Sequence, residues 1–128
     1  MNSSNPPPNA RIPILQKLVS TYNLWHTYPR NFPKDLRYTL GTKIDLLFIE
    51  ILEPVFLAST ASGEQKLPYL YKASVQLDLL KFFLQVAWES KALDSKKYIH
   101  LSELLGEIGK MLGGWQKHIL ALPKENPA

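Results

Sequence analysis

Residues 98–122 read YIHLSELLGEIGKMLGGWQKHILAL. Leu101, Leu105, Ile108, Leu112, Trp115, Ile119 and Leu122 recur at alternating intervals of four and three. That spacing predicts a long helix laying one apolar seam lengthwise against other helices. The same segment holds Gly106, Gly109, Gly113 and Gly114, each disfavoured by about 1 kcal/mol against alanine inside a helix. Gly106, Gly109 and Gly113 stand at i, i+3 and i+7, so they form a second stripe. The expectation is that another backbone approaches this stripe closely, within the subunit or from a neighbouring one.

Working outward, residues 66–92 give a third helix with the stripe Leu70, Ala73, Leu77, Leu80, Leu84 and Ala87. A second apolar row, Val75, Leu79, Phe82, Phe83 and Val86, leaves only a narrow polar edge at Gln76, Asp78, Lys81 and Gln85. A helix apolar on most sides is covered on more than one, and in a small bundle a second subunit is the natural cover. Asp94-Ser95 offers an N-cap for the last helix. Helix two is expected from about Lys34 with Pro33 at its first position, on the stripe Leu36, Leu40, Ile44, Leu47, Ile51 and Val55. Phe48, Ile49, Leu52 and Phe56 widen its apolar surface, and Pro54 predicts a kink. Helix one is expected over 13–28 from Leu15, Leu18, Tyr22, Trp25 and Tyr28, ending at the Tyr28–Pro33 break. Residues 59–64 read as a loop. The fold class is all-α: an antiparallel up-down-up-down four-helix bundle over residues 12–122. Residues 1–11, with Pro6-Pro7-Pro8, form an N-terminal tail, and 123–128 a C-terminal one.

The chain has 128 residues, no cysteine and a formal charge of +4. Thiolate metal sites and disulfides are therefore excluded. The opening MNSSNPPPNARIP lacks a signal-peptide core, and no apolar run reaches the eighteen residues of a membrane span, so a cytoplasmic protein without membrane contact is expected. Charge is unevenly spread. Residues 1–45 hold six basic side chains (Arg11, Lys17, Arg30, Lys34, Arg37, Lys43) against Asp35 and Asp45, whereas the remaining 83 hold nine of each sign. A basic surface attracts RNA or DNA; equally, such a charge can serve solubility alone.

Motifs of catalysis are missing. There is no nucleophile elbow, phosphate loop or dinucleotide fingerprint. Glu50 and Glu53 sit on one helix, where solvent exposure is the ordinary fate of two carboxylates. His26, His100 and His118 lie far apart, and His100, Glu103 and Glu107 lack the matching Glu-x-x-His pair that a bundle metal site needs. The sequence predicts no enzyme, no metal, no cofactor and no small-molecule substrate.

An ordered set of segments carries a resemblance. These are Phe32-Pro33-Lys34, Arg37-Tyr38-Thr39-Leu40-Gly41, Lys66-Leu67, Leu77 through Ala87 (LDLLKFFLQVA), Leu101-Ser102-Glu103, and Glu107 through Trp115 ending in Lys-Met-Leu-Gly-Gly-Trp. Over residues 12–122 the chain resembles the accessory variability determinant (Avd) proteins of diversity-generating retroelements. That family is similar in turn to four-helix proteins encoded in intervening sequences of bacterial ribosomal RNA genes. The resemblance implies a homopentameric barrel of four-helix bundles with a basic surface. It also implies a non-enzymatic partner of a retroelement reverse transcriptase that binds nucleic acid and supports mutagenic complementary-DNA synthesis and retrohoming. Lys34, Arg37, Lys81 and Lys110 match positions where the family is often basic, and Gln85 departs from a commonly basic position. With Arg11, Lys17, Arg30, Lys43 and Lys117 these four make the candidate nucleic-acid contacts. Candidates for helix packing or an oligomer interface are Phe48, Leu52, Phe56, Leu79, Phe82, Phe83, Gly106, Gly109, Gly113 and Trp115. Two other readings stay open: an rRNA-intervening-sequence type protein, and a purely structural oligomer without a nucleic-acid role.

Overall fold

The computed structural model describes residues 12–28 and 32–123. Both expected tails, apart from Pro123, fall outside this range, as do Arg11 and Arg30. Among the described residues there are four bundle helices and no strand. Helix α1 is Pro13–Trp25. Helix α2 opens with a turn at Lys34–Leu36, passes through a π-helical stretch at Arg37–Gly41, and continues as a regular body over Thr42–Thr60. A 3₁₀ turn at Gly63–Lys66 leads into α3, Leu67–Glu89, and α4 is Ser95–Ala121.

Contacts between side chains fix the directions. Tyr22, late in α1, and His26, just past its end, meet Phe48 and Asp45, early in α2. Lys43 lies over the Phe83 ring near the end of α3, and Glu50 accepts from Gln76. Trp88 at the end of α3 bonds Ser95 at the start of α4, while Gln116 reaches back to Ser74. Each helix therefore runs antiparallel to its neighbours, α1 packing on α2 and α4, and α3 on α2 and α4. This is the up-down-up-down bundle of short connections.

The core follows the expected stripes. Leu15, Leu18 and Trp25 of α1, Ile44, Leu47, Ile51 and Val55 of α2, and the whole Leu70–Ala87 stripe of α3 are buried. From α4 come Leu101, Leu105, Ile108, Leu112 and Ile119. Trp115 is half-buried against this core, with the Lys66 ammonium 5.9 Å over its ring, and Leu122 is exposed. Lys66 also donates to the carbonyls of Ala58 and Ala61, closing the C-terminus of α2.

Boundaries differ from the sequence reading where local chemistry prevails. Helix α1 stops at Trp25, three residues early, because Thr27 and Tyr28 fold back in tight turns onto Leu24 and Trp25 before Pro29. Pro33 caps α2 from outside rather than occupying its first position. The irregularity of α2 lies at Arg37–Gly41, where one wide turn keeps Leu40 and Gly41 buried and seats Gly41 against the Phe32 ring. The helix continues through Pro54, whose ring is itself buried between Ile51 and Val55 in the seam.

Helix α3 ends on Lys91, which takes φ 64°, a left-handed conformation ordinarily given to glycine at the end of a helix. It lets the amides of Ala92 and Leu93 both donate to the Ala87 carbonyl. A side chain here is disfavoured by about 1 kcal/mol, so Lys91→Gly should raise stability by that order in a denaturant titration. A stability equal to or lower than wild type would show the conformation to be unstrained.

The glycine stripe of α4 answers the within-subunit half of its expectation. No backbone approaches it within the subunit: a Cβ on Gly106, Gly113 or Gly114 would meet open space. At Gly109 it would stand 3.4 Å from Nζ of Lys81 and 3.5 Å from Cδ2 of Leu77, both side-chain atoms. Inside the subunit the stripe thus floors an open channel. Alanine at Gly106 or Gly113 is expected to stabilise the isolated subunit by roughly 0.5–1 kcal/mol each. A lower melting temperature at low protein concentration would contradict this.

Candidate nucleic-acid interface

The groove between α3 and α4 is lined by one candidate lysine, Lys81, while Lys110 and Lys117 are exposed further along α4. Helix α3 supplies Asp78, Lys81, Phe82 and Gln85, and α4 supplies Tyr98, Ser102 and Gly106, around a groove of about 430 Å³. Spacing explains the lining. Positions 78, 81, 85 and 88 share one edge of α3, and 98, 102, 106, 109 and 113 share the facing edge of α4. Small residues at four of those five α4 positions keep the floor low, so Lys81 can lie across it to Gly109. Lys110 and Lys117 stand at i+4 and i+11 from Gly106, exposed on the same face of α4 but outside the groove's lining. Lys81, Lys110 and Lys117 form no ion pair among the described residues, and Asp78 shares the groove with Lys81.

The other candidates are placed elsewhere. The Lys17 ammonium is paired with Glu107 on the α1–α4 seam. Arg37 is half-buried and donates to the Phe32 carbonyl across 3.4 Å, holding the chain before α2. Lys34 is exposed at the start of α2. Lys43 is exposed on the α2–α3 junction, 5.7 Å over the Phe83 ring. The basic excess of residues 1–45 is therefore dispersed among the residues described, and the groove lysine, Lys81, comes from the charge-balanced remainder.

Sequence reasoning passed over the basic and aromatic end of the bundle. Lys97 caps the Tyr28 ring at 5.4 Å, and Tyr28, Lys96, Lys97, Ile99, His100 and Glu103 line a second groove of about 470 Å³. Asp94 accepts from the Lys97 amide at 2.9 Å, the N-cap expected from the sequence. That bond, opposed by burial and aided by the Lys97 ammonium, holds the Asp94 carboxyl below its ordinary range. Burial and then the Asp94 charge raise Tyr28. At the α1–α2 contact, His26 and Asp45 approach to 2.6 Å, and burial followed by Asp45 raises Tyr22. Glu107 is lowered, first by its hydrogen bond from Lys17 and then by that lysine's charge.

Two carboxyls depressed on folding set the acid dependence. Their stabilisation is complete above the ordinary carboxylate values of 3.8 and 4.5 and disappears as pH falls through the lower folded values. Thermal stability should accordingly decline below about pH 4.5, and Glu107→Gln should flatten part of that decline. An unchanged acid limb in the variant would remove Glu107 from the account.

The packing candidates divide between core and surface. Phe48 is 0% exposed, stacked near Trp25 with centroids 6.4 Å apart, so it packs this subunit and is no surface for another. Leu52 and Phe83 are half-buried. Phe56, Leu79 and Phe82 face outward, Phe82 at 55% exposure. With Leu46, Ile49, Leu57 and Val75 they leave α2 and α3 a broad uncovered apolar surface. Among the described residues no three His, Asp or Glu side chains gather as a metal site, and no helix is long and apolar enough to cross a membrane.

A protein-family model described as bAvd-like matches residues 13–119, which takes in all four helices and the α3–α4 groove. No curated protein matches the chain.

Proposed function

The chain belongs to the bAvd-like family, and from that membership we propose a non-enzymatic accessory protein of a diversity-generating retroelement that holds nucleic acid in the α3–α4 groove. The observation that carries the reading is Lys81 lying in the α3–α4 groove toward Gly109, with Lys110 and Lys117 exposed along the same face of α4. Phosphates would be met by ammonium groups without base readout, the form of contact that gives affinity and register rather than sequence preference.

In this reading the uncovered α2–α3 surface joins copies of the chain, in a pentamer as the family resemblance implies, and repeats the lysine groove around the ring. Repetition matters because one such groove is weak alone, while five copies act at high effective concentration on one polymer. The partner enzyme is a reverse transcriptase, and the nucleic acid is the template RNA or its complementary DNA.

Binding of a structured RNA by the full chain, followed across a salt series, tests the nucleic-acid half. The logarithm of affinity should fall linearly with the logarithm of salt. Affinity independent of salt would rule out phosphate neutralisation by these lysines. Co-purification with a retroelement reverse transcriptase from the same genome tests the other half, and failure to associate in either order of assembly would sink it.

A further inference from the structure

Trp88, in the last turn of α3, lies flat on Tyr98 from the first turn of α4, with centroids 5.0 Å apart and planes at 10°. Its Nε1 donates to the Ser95 hydroxyl at 2.9 Å. One ring face and the indole N–H are thus engaged, yet the side chain remains 39% exposed. Tyr98 also lines the lysine groove beside Lys81 and Gly106, so the stacked pair closes one end of that channel. Just past it, Lys91 occupies the left-handed turn where glycine would be favoured. Lys91 and Lys96 are exposed and in no ion pair among the described residues, while the nearby Asp94 carboxylate is already engaged by the amide and ammonium of Lys97.

We propose that this end of the groove is a stacking platform for unpaired bases, so that the polymer held in the groove is single-stranded. The inference rests on the nucleic-acid reading above and narrows it. A base lies on the exposed side of Trp88, extending the Trp88–Tyr98 stack by one ring, and a flanking phosphate falls to Lys91, which lines the same hollow as Trp88 together with Glu89 and Asp94. Duplexes keep their bases stacked on one another and cannot offer a free face, whereas every unpaired base can. The lysine kept at a glycine-favouring turn fits this use: a side chain retained against local stability is a sign of function rather than of folding.

The test uses the full chain and two RNAs of equal length, an oligouridine single strand and a perfect duplex, each followed by fluorescence anisotropy. Wild type is expected to bind the single strand more tightly. Trp88→Ala should weaken single-strand binding about tenfold or more and leave duplex binding unchanged. Lys91→Gly, which favours the folded state, should weaken single-strand binding several-fold, so a folding defect cannot explain the loss. Equal wild-type affinity for both RNAs, or wild-type single-strand affinity in both variants, overturns the proposal while leaving the lysine groove standing. Absence of binding to either RNA at low salt overturns both readings together, and leaves the aromatic pair as a staple between α3 and α4.

Discussion

Truncating Phe48 to alanine is expected to destabilise the subunit by about 3–5 kcal/mol, whereas the same change at Phe82 should barely alter the subunit's own stability. Both are phenylalanines on apolar helices, but Phe48 is fully enclosed near Trp25, Tyr22 and the α1–α2 seam, and Phe82 is more than half exposed. Losing Phe48 leaves a cavity that the close-packed α1–α2 contact cannot collapse to fill. A loss of this size approaches the whole stability of a domain this small, so Phe48→Ala should be largely unfolded at 37 °C. Phe82→Ala removes an edge contact with Phe83 at 5.3 Å and should show instead in sedimentation, as a shift toward smaller species. Denaturant titration beside sedimentation velocity separates the two. A Phe82 variant that is strongly destabilised yet keeps its association would reverse the assignment of core and interface.

Charge reversal in the groove should have the second large effect. Lys81→Glu combined with Lys110→Glu is expected to lower affinity for RNA by about a hundredfold at moderate salt and to cut the slope of log affinity against log salt by about two. Reversal removes two phosphate contacts and adds two repulsive charges, one in the groove at Lys81 and one at Lys110, exposed on α4. The fold should tolerate it, since Lys110 is exposed and Lys81 touches Gly109 only through its terminal nitrogen. Arg37 is a poorer target, because its half-buried guanidinium holds the Phe32 carbonyl. An unaltered salt slope in the double variant would mean that the polymer binds on another face.

Much of this architecture was legible because one force dominates it. Burial of leucine at intervals of three and four set the inward face of every helix, and Leu70–Ala87 and Leu101–Ile119 pack as their spacing requires. What spacing could not carry was local. No residue type announces the wide turn at Arg37–Gly41, since tertiary packing of Leu40 and Gly41 imposes it. The left-handed Lys91 was hidden for the opposite reason, a lysine standing where glycine is the usual signal. The site was half legible. Lys81, Lys110 and Lys117 could be proposed one by one from helices α3 and α4, but the groove that holds Lys81 depends on how those two helices face each other. Charge counting pointed at residues 1–45, whose described cations the fold then scatters. The glycines were read as a contact for a backbone, and within the subunit they are a floor.

The α2–α3 pairing is the most extensive between any two helices here, and only residues 61–66 join them. A hairpin of neighbouring segments closes at little entropic loss, so this pair is the natural first unit to form as the chain folds. It is also the pair that carries Leu46, Ile49, Phe56, Val75 and Phe82 on its outer side. The adhesive face is then ready before α1 and α4 have completed the subunit, which makes refolding a race between closing one bundle and joining two unfinished ones. Refolding yield should therefore depend on protein concentration, even though every core contact is made within a single chain.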